Sequence, residues 1–358
     1  MASVTDDFSD GLRSVLAETR RNPANTLRSR TNGEDMTDSQ PTTMRALRLH
    51  SYGEPSDVLR LEEAAIPSPA TGQVRVRVHA CALNPADWAV CRGFLPVPPP
   101  RGIGFDVSGT VDAIGEGVSS VRIGDPVFGV PDYMGQTTAG AAEYAVLKVF
   151  IPVPERLSLT EAAALPMAVE TAARSIDLLG LAAGQTIFIN GGGTMTGFAA
   201  VQIALLRGAH VIAAAGETFA DRLRGLGAKV TPYGDGMVER VRELAAGAPN
   251  FALHTAQVKG TLPDLVKIVD GDPKRVLSFA DFDEEGIGVR TTGREKGAVP
   301  RYDVLGQYAQ LAAEGRFTVP IARTFSLEDW RGAAEISMSK RAHGKLMLLL
   351  DPSSTTRV

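Results

Sequence analysis

"IFINGGGTMTGFAAVQIALLRGAHVIAAAG", residues 187–216, sets three glycines between an apolar run and a stretch of helix formers, and closes on a second apolar run. A strand, a glycine turn and a helix in that order aim backbone N–H groups and the positive helix end at any anion beyond the turn. Gly191, Gly193 and Gly197 meet the fingerprint G-x-G-x-x-G loosely, with one residue too many before the last glycine. Such a run can equally be a tight turn and nothing more. Its setting favours a dinucleotide. From "TIFING" through "HVIAAAG", "KVTPY" and "FALHTA" to "RVLSFAD", apolar runs alternate with helical patterns, which predicts a doubly wound parallel sheet opened by this turn.

Upstream the periodicity differs. "MRALRLH" and "QVRVRVHACALN" alternate apolar and polar residues, and short strands punctuated by Gly and Pro follow up to about residue 155. That spacing predicts a small barrel-like β unit. "LTEAAALPMAVETAARSIDLL" then reads as helix, with Thr160 as its expected N-cap. The tail from "YDVLGQYAQLAAEGRF" to "GKLMLLL" reads as two helices and a final strand that can return to the first unit.

Composition narrows the function. The chain has 358 residues, a net charge of −4 and only two cysteines, Cys81 and Cys91. The charge offers no general attraction to nucleic acid or to an anionic membrane. Two cysteines build neither a disulfide framework nor a four-cysteine zinc site, and no apolar run is long enough to span a bilayer. The expectation is a cytoplasmic protein acting on a small molecule. Residues 1–43 are rich in Ser, Thr, Asn, Asp and Arg and predict a flexible extension, with Met44 resembling a natural beginning. Phe8, Leu12, Val15 and Leu16 could form one short amphipathic helix there.

Cofactor choice is read at the end of the next strand, where an acid binds the ribose 2′-OH of NAD. "HVIAAAGE" puts Ala215 in that place, with Glu217 two residues on and Arg222 and Arg224 beyond. A missing acid beside arginines predicts NADPH, with NADH as the alternative.

Several stretches, in order, resemble the medium-chain dehydrogenase/reductase superfamily, in its zinc-free quinone oxidoreductase and enoyl reductase branch. They are "ALNPADWAVCRG", "GFDVSGTVDAIGEGVSSVRIGDPVFG", "LPMAVETAARSI" and "AHGKLMLLL", and the likeness covers residues 44–351. The resemblance implies an α/β protein: a GroES-like β-rich catalytic domain over residues 44–168, a Rossmann cofactor domain over 169–303, and a return to the catalytic domain over 304–358. A homodimer is compatible with it. Zinc-dependent relatives carry Cys where this chain has Asn84, and Gly-His-Glu where it has Gly104, Phe105 and Asp106. A phenyl ring cannot ligate zinc and an amide replaces thiolate poorly, so no zinc is expected.

Without a metal, hydrogen bonds must polarise the substrate carbonyl as hydride arrives. The resemblance places Asn84 near nicotinamide and substrate, where its NH2 could donate, with Asp87 in the substrate pocket; alternatively Asn84 and Asp87 only organise the "NPAD" turn. Trp88 either walls the pocket or fills the core. Tyr133, in "VPDYMGQTTAG", is the phenol available to donate, unless it is a surface tyrosine. For the cofactor, the resemblance implies Gly191, Gly192, Gly193, Thr194, Met195, Thr196 and Gly197 in the turn. Thr171 lies on the nicotinamide side, and Phe279 completes the set. Arg222, Tyr233 and Lys340 would lie toward the 2′-phosphate. Thr194 and Met195 replace two glycines, so they either obstruct the pyrophosphate or, for Thr194, give it a hydroxyl. His254 is expected as a strand-end residue without catalytic work. The function implied is an NADPH-dependent reduction of a quinone or an α,β-unsaturated carbonyl; the alternative is a non-catalytic nucleotide-binding or sensor relative.

Overall fold

The computed structural model describes residues 41–281, 286–292, 295 and 298–350; of the expected extension over residues 1–43, residues 1–40 lie outside them, and Thr43 belongs to the first strand, paired with Ala65. Strands β1 (Thr43–Leu49), β2 (Leu59–Ala65), β3 (Val74–Leu83), β4 (Arg101–Gly102), β5 (Asp106–Ile114), β6 (Pro126–Pro131) and β7 (Tyr144–Pro152) come first. Two helices, Leu159–Ala163 and Pro166–Leu179, lead to β8 (Thr186–Asn190), β9 (His210–Ala214), β10 (Lys229–Thr231), β11 (Phe251–His254), β12 (Val276–Ser278) and β13 (Arg290–Thr291). Strands β14 (Ile321–Ser326) and β15 (Lys345–Leu349) close the described chain.

Alternation builds the first unit. Along β3, Val74, Val76 and Val78 are buried while Arg75 and Arg77 are not, so one pleat face supplies the core. β3 pairs antiparallel with both β5 and β7, and β6 joins those two, closing a four-stranded barrel. β15 pairs antiparallel with the last residues of β3, and β14 lies parallel beside it, so the chain's end returns to the first sheet.

The helical connection begins earlier than Thr160. Ser158 is the N-cap: its hydroxyl accepts from Glu161 N (3.2 Å) and Glu161 accepts from Ser158 N (3.1 Å). The S-x-x-E box satisfies two otherwise orphaned donors, which Thr160 has no matching acid to do. The helix stops before Pro166, which opens the second helix at a position where its missing N–H costs nothing.

The second unit is a parallel sheet in the order β10-β9-β8-β11-β12-β13. Strand order reverses between β8 and β11, the place where such sheets bind ligands at their carboxyl ends. Side chains of β8 alternate between layers: Ile187 and Ile189 join the core with Phe198, and Phe188 packs on the opposite face with Ile212 and Ala252. Helix Met195–Leu206 is buried from Gly197 through Ala204. Ala80 and Ala82 of β3 belong to that same core, so the barrel and the parallel sheet share apolar surface.

The glycines of the turn answer to packing. Gly191 has φ +105°, and a Cβ on it would sit 2.6 Å from Ala256 N. A Cβ on Gly197 would overlap the Gly191 carbonyl oxygen and lie 2.7 Å from Thr255 Oγ1. Gly197→Ala is therefore expected to destabilise the apo protein by about 2–3 kcal/mol, the usual cost of overpacking against backbone. Thermal unfolding checks this; an unchanged melting temperature would mean that the helix can move off the strand freely.

Candidate active site

Two groups of residues stand out, one in the turn after β8 and one around Lys345. The first is the turn after β8. Thr194 is the N-cap of helix Met195–Leu206, with φ −73°, so neither it nor Met195 needs a glycine conformation. The Thr194 hydroxyl accepts from Gly197 N (3.0 Å) and lies 3.0 Å from both the Gly191 carbonyl and Thr255 Oγ1. A hydroxyl has one proton, and the turn uses it. Thr194 is thus a cap, which corrects the expectation that it serves a phosphate.

Met195 and Thr196 begin the helix, where first-turn N–H groups lack intrahelical partners. A Cβ on Gly192 would lie 2.9 Å from Ala213 Cβ, and one on Gly193 would lie 3.1 Å from Phe219 Cδ2. Phe219 is buried, its ring 5.7 Å from that of Phe198. The bare face of Gly193 is therefore covered by an aromatic ring.

The cations expected at a 2′-phosphate have other partners. Arg222 lies 5.2 Å from the Phe198 ring centroid and donates to Thr318 Oγ1 at 3.4 Å, which places it against the helix instead of at the strand end. Lys340 donates to the Gln257 carbonyl (2.9 Å), beyond β11. Tyr233 follows β10, three strand spacings from β11, or roughly 14 Å. Tyr233 itself is exposed at the surface, and its hydroxyl is pushed up to about 12 by partial burial of the ring. Thr171 donates to Glu170 Oε2 (3.2 Å), and Phe279 N donates to the His254 carbonyl (3.3 Å). His254 is wholly buried, 3.1 Å from Asn190 Nδ2 through Nδ1, and burial pushes its pKa down, so it is a neutral link between β8 and β11.

The second group stands where β15, β3 and β5 lie side by side. Asn84 ends the strand and caps helix Pro85–Cys91, with Asp87 completing the box. The two oxygens of Asp87 accept from Asn84 N and Gly104 N, both at 2.7 Å, and the residue is fully buried. Asp87 therefore staples two loops and lines no pocket, contrary to expectation. The amide of Asn84 is also spoken for. Its Nδ2 donates to Asp106 Oδ2 (2.9 Å) and to the Ala82 carbonyl (3.2 Å), and its Oδ1 accepts from Lys345 Nζ. With both N–H groups engaged, Asn84 has none left for a substrate carbonyl, which corrects that reading.

Lys345 Nζ also lies 3.0 Å from Asp106 Oδ2, and Asp106 Oδ1 accepts from Met167 N at 2.9 Å. The sequence reading missed Lys345. The signal was present: a lysine opening an otherwise apolar strand, "KLMLL", must find a buried partner. Trp88 is core, its Nε1 donating to Ser337 Oγ (2.7 Å). Tyr133 is no surface residue: its ring is buried 5.1 Å from that of Phe105, and burial pushes the phenol far up, keeping the O–H protonated.

Comparison with known proteins gives this architecture relatives. The family description "Alcohol dehydrogenase GroES-like domain" matches residues 70–155, and "Zinc-binding dehydrogenase" matches residues 234–348. A quinone-oxidoreductase homolog from Spinacia oleracea is 36% identical over 198 residues, 52% of this chain and 59% of that protein. A 2-methylene-furan-3-one reductase from Solanum lycopersicum is 34% identical over 204 residues, 53% of this chain and 52% of that protein. The chain thus matches little more than half the length of these relatives. The solved quinone oxidoreductase from Coxiella burnetii superposes with a TM-score of 0.73 at 25% identity, over 86% of this chain and 100% of that one.

The donor set does not fit the metal that the second description implies. Asn84 and Phe105 offer no thiolate or imidazole, and Asp106 already holds an ammonium. Among the described residues no group of three or more His, Cys, Asp or Glu could hold a metal ion, and no helix is long and apolar enough to cross a membrane.

Asp87 supplies a pH test. Burial, partly offset by its two backbone N–H bonds, raises its carboxyl to about 7. A carboxyl raised above its unfolded value near 3.9 contributes stability that is complete below that value and lost as pH rises through about 7. The melting temperature is expected to fall by several degrees between about pH 5 and about pH 8, and Asp87→Asn to flatten that slope. Equal slopes in both proteins would show Asp87 ionised throughout.

Proposed function

We propose, on the premise that the chain belongs to the medium-chain dehydrogenase/reductase superfamily, that it is a zinc-independent reductase of a quinone or an α,β-unsaturated carbonyl. The observation that carries this reading is the position of the glycine turn, at the strand-order reversal of the parallel sheet and at the opening of a buried helix. A pyrophosphate there would meet the N–H groups of Met195 and Thr196 and the positive end of the helix. When bound, a nicotinamide nucleotide supplies the hydride.

The chain's own residues provide the rest. Phe105 and Tyr133 form an aromatic pair in the region where zinc-dependent relatives carry a ligand. The protonated Tyr133 hydroxyl is the donor available for an oxygen that gains charge. Solvent can protonate the resulting enolate or hydroquinone. The resemblance to quinone oxidoreductases supports NADPH as donor, whereas the partners of Arg222 and Lys340 leave room for NADH. A reducing compartment suits Cys81 and Cys91, both buried free thiols. A homodimer completes the reading and is checked by light scattering.

One observation favours a second reading, a relative that binds a nucleotide weakly and catalyses nothing: the Phe219 ring over Gly193. A single titration separates the two. Under the reductase reading, NADPH or NADH at about a hundredfold its dissociation constant stabilises the fold by about 2.7 kcal/mol, and exhaustive chelation leaves turnover of a quinone and enone panel intact. Phe219→Ala then changes nucleotide affinity less than about threefold, equivalent to ~0.7 kcal/mol. No thermal shift and no turnover with wild type, together with a shift in Phe219→Ala, would establish the second reading instead.

A further inference from the structure

The buried ammonium of Lys345 has no part in the function proposed above, and its neighbours show what it does. It leaves β15 between two acceptors that other strands supply: Asn84, at the end of β3, and Asp106, at the start of β5. All three residues are buried, with Lys345 only 4% and Asp106 only 1% exposed. Each acceptor passes the constraint on. Pinning Asn84 Oδ1 with an ammonium decides which way the amide faces, since only the oxygen can accept, and so directs Nδ2 to Asp106 and the Ala82 carbonyl. Asp106 Oδ1 then holds Met167 N, in the first turn of helix Pro166–Leu179, which packs in the core of the parallel sheet.

We propose that Lys345 is a positioning residue of the junction between the barrel and the parallel sheet: its ammonium holds the Asn84 loop and, through Asp106, the start of helix Pro166–Leu179, so that the barrel and the nucleotide unit meet in one geometry. The inference rests on the reductase reading for its functional meaning but not for its structural content. A buried ion pair is a poor source of stability, because desolvation of both charges offsets their attraction. Its three-way connection across separate strands, and not net stabilisation, is what distinguishes it from a packing lysine.

The test uses Lys345→Met and the charge-balanced Lys345→Met/Asp106→Asn. The single variant strands a buried carboxylate and is expected to melt lower. The double variant removes both charges, can re-form a bond between the amides of residues 84 and 106, and is expected to melt close to wild type. Hydrogen exchange is then read on segments 83–92 and 165–171. If the ammonium positions the junction, both segments exchange at least about tenfold faster in the double variant, the β8–β11 region is unchanged, and kcat falls at least about tenfold while KM moves little. A double variant with wild-type exchange in both segments and wild-type kcat overturns the proposal, because charge balance alone would then account for Lys345. A double variant that does not fold also overturns it, since the pair would be a plain requirement for folding. Exchange needs no turnover: a wild-type chain that reduces nothing would sink the reductase reading, and the exchange arm would still decide what Lys345 holds.

Discussion

An ammonium and a carboxylate 3.0 Å apart, both buried, tie together separate parts of this molecule. Neither charge could remain buried alone, since an unpaired ion in the interior costs several kcal/mol even after relaxation. Their pairing therefore requires that β15, from the end of the chain, lie against β3, and that β3 lie against β5. That arrangement returns the C-terminal segment to the first sheet. The same carboxylate reaches Met167 N, and with Ala80 and Ala82 it joins the barrel to the helices of the parallel sheet.

A different economy governs the turn after β8. Three glycines in a row suggest room for phosphate, yet most of them are explained by neighbours within the protein. Gly191 is left-handed and crowded by Ala256; Gly197 touches the Gly191 carbonyl; Gly192 faces Ala213; Gly193 faces Phe219. Thr194, standing where a glycine is usual in the family, closes the turn as a helix cap. A phosphate-binding turn and a tightly packed turn thus demand nearly the same residues, because both need backbone to approach closely. What separates them is the strand order, which puts this turn at the one place in the sheet where neighbouring connections part.

The departures from the family's pattern fall into two kinds. Asn84 and Phe105 stand where zinc-dependent relatives carry ligands; here Asn84 joins a closed hydrogen-bond network with Asp106 and Lys345, and Phe105 pairs with Tyr133. Phe219, in the region where the family carries a lysine, packs over Gly193 and against Phe198, while Arg222 and Lys340 hold Thr318 and Gln257.

The sequence by itself determined the fold class. Period-two alternation in "QVRVRVHACALN" and the strand–helix rhythm from residue 186 onward are local consequences of pleat and helix geometry, readable without knowing what they touch. Caps were legible on the same ground: "SLTE" contains the box that starts at Ser158, although Thr160 is the more conspicuous residue in it. That Asn84 and Phe105 are poor zinc ligands was equally legible, because a phenyl ring is no ligand in any fold. Only the tertiary structure decided the roles of polar side chains. Whether Asn84 points its NH2 at a substrate or at Asp106 depends on a lysine 261 positions away, and whether Arg222 meets a phosphate or a phenylalanine depends on how its helix is turned. Hydrogen-bond capacity is finite and is spent on whichever partners packing brings within 3 Å, and no local pattern records which those will be.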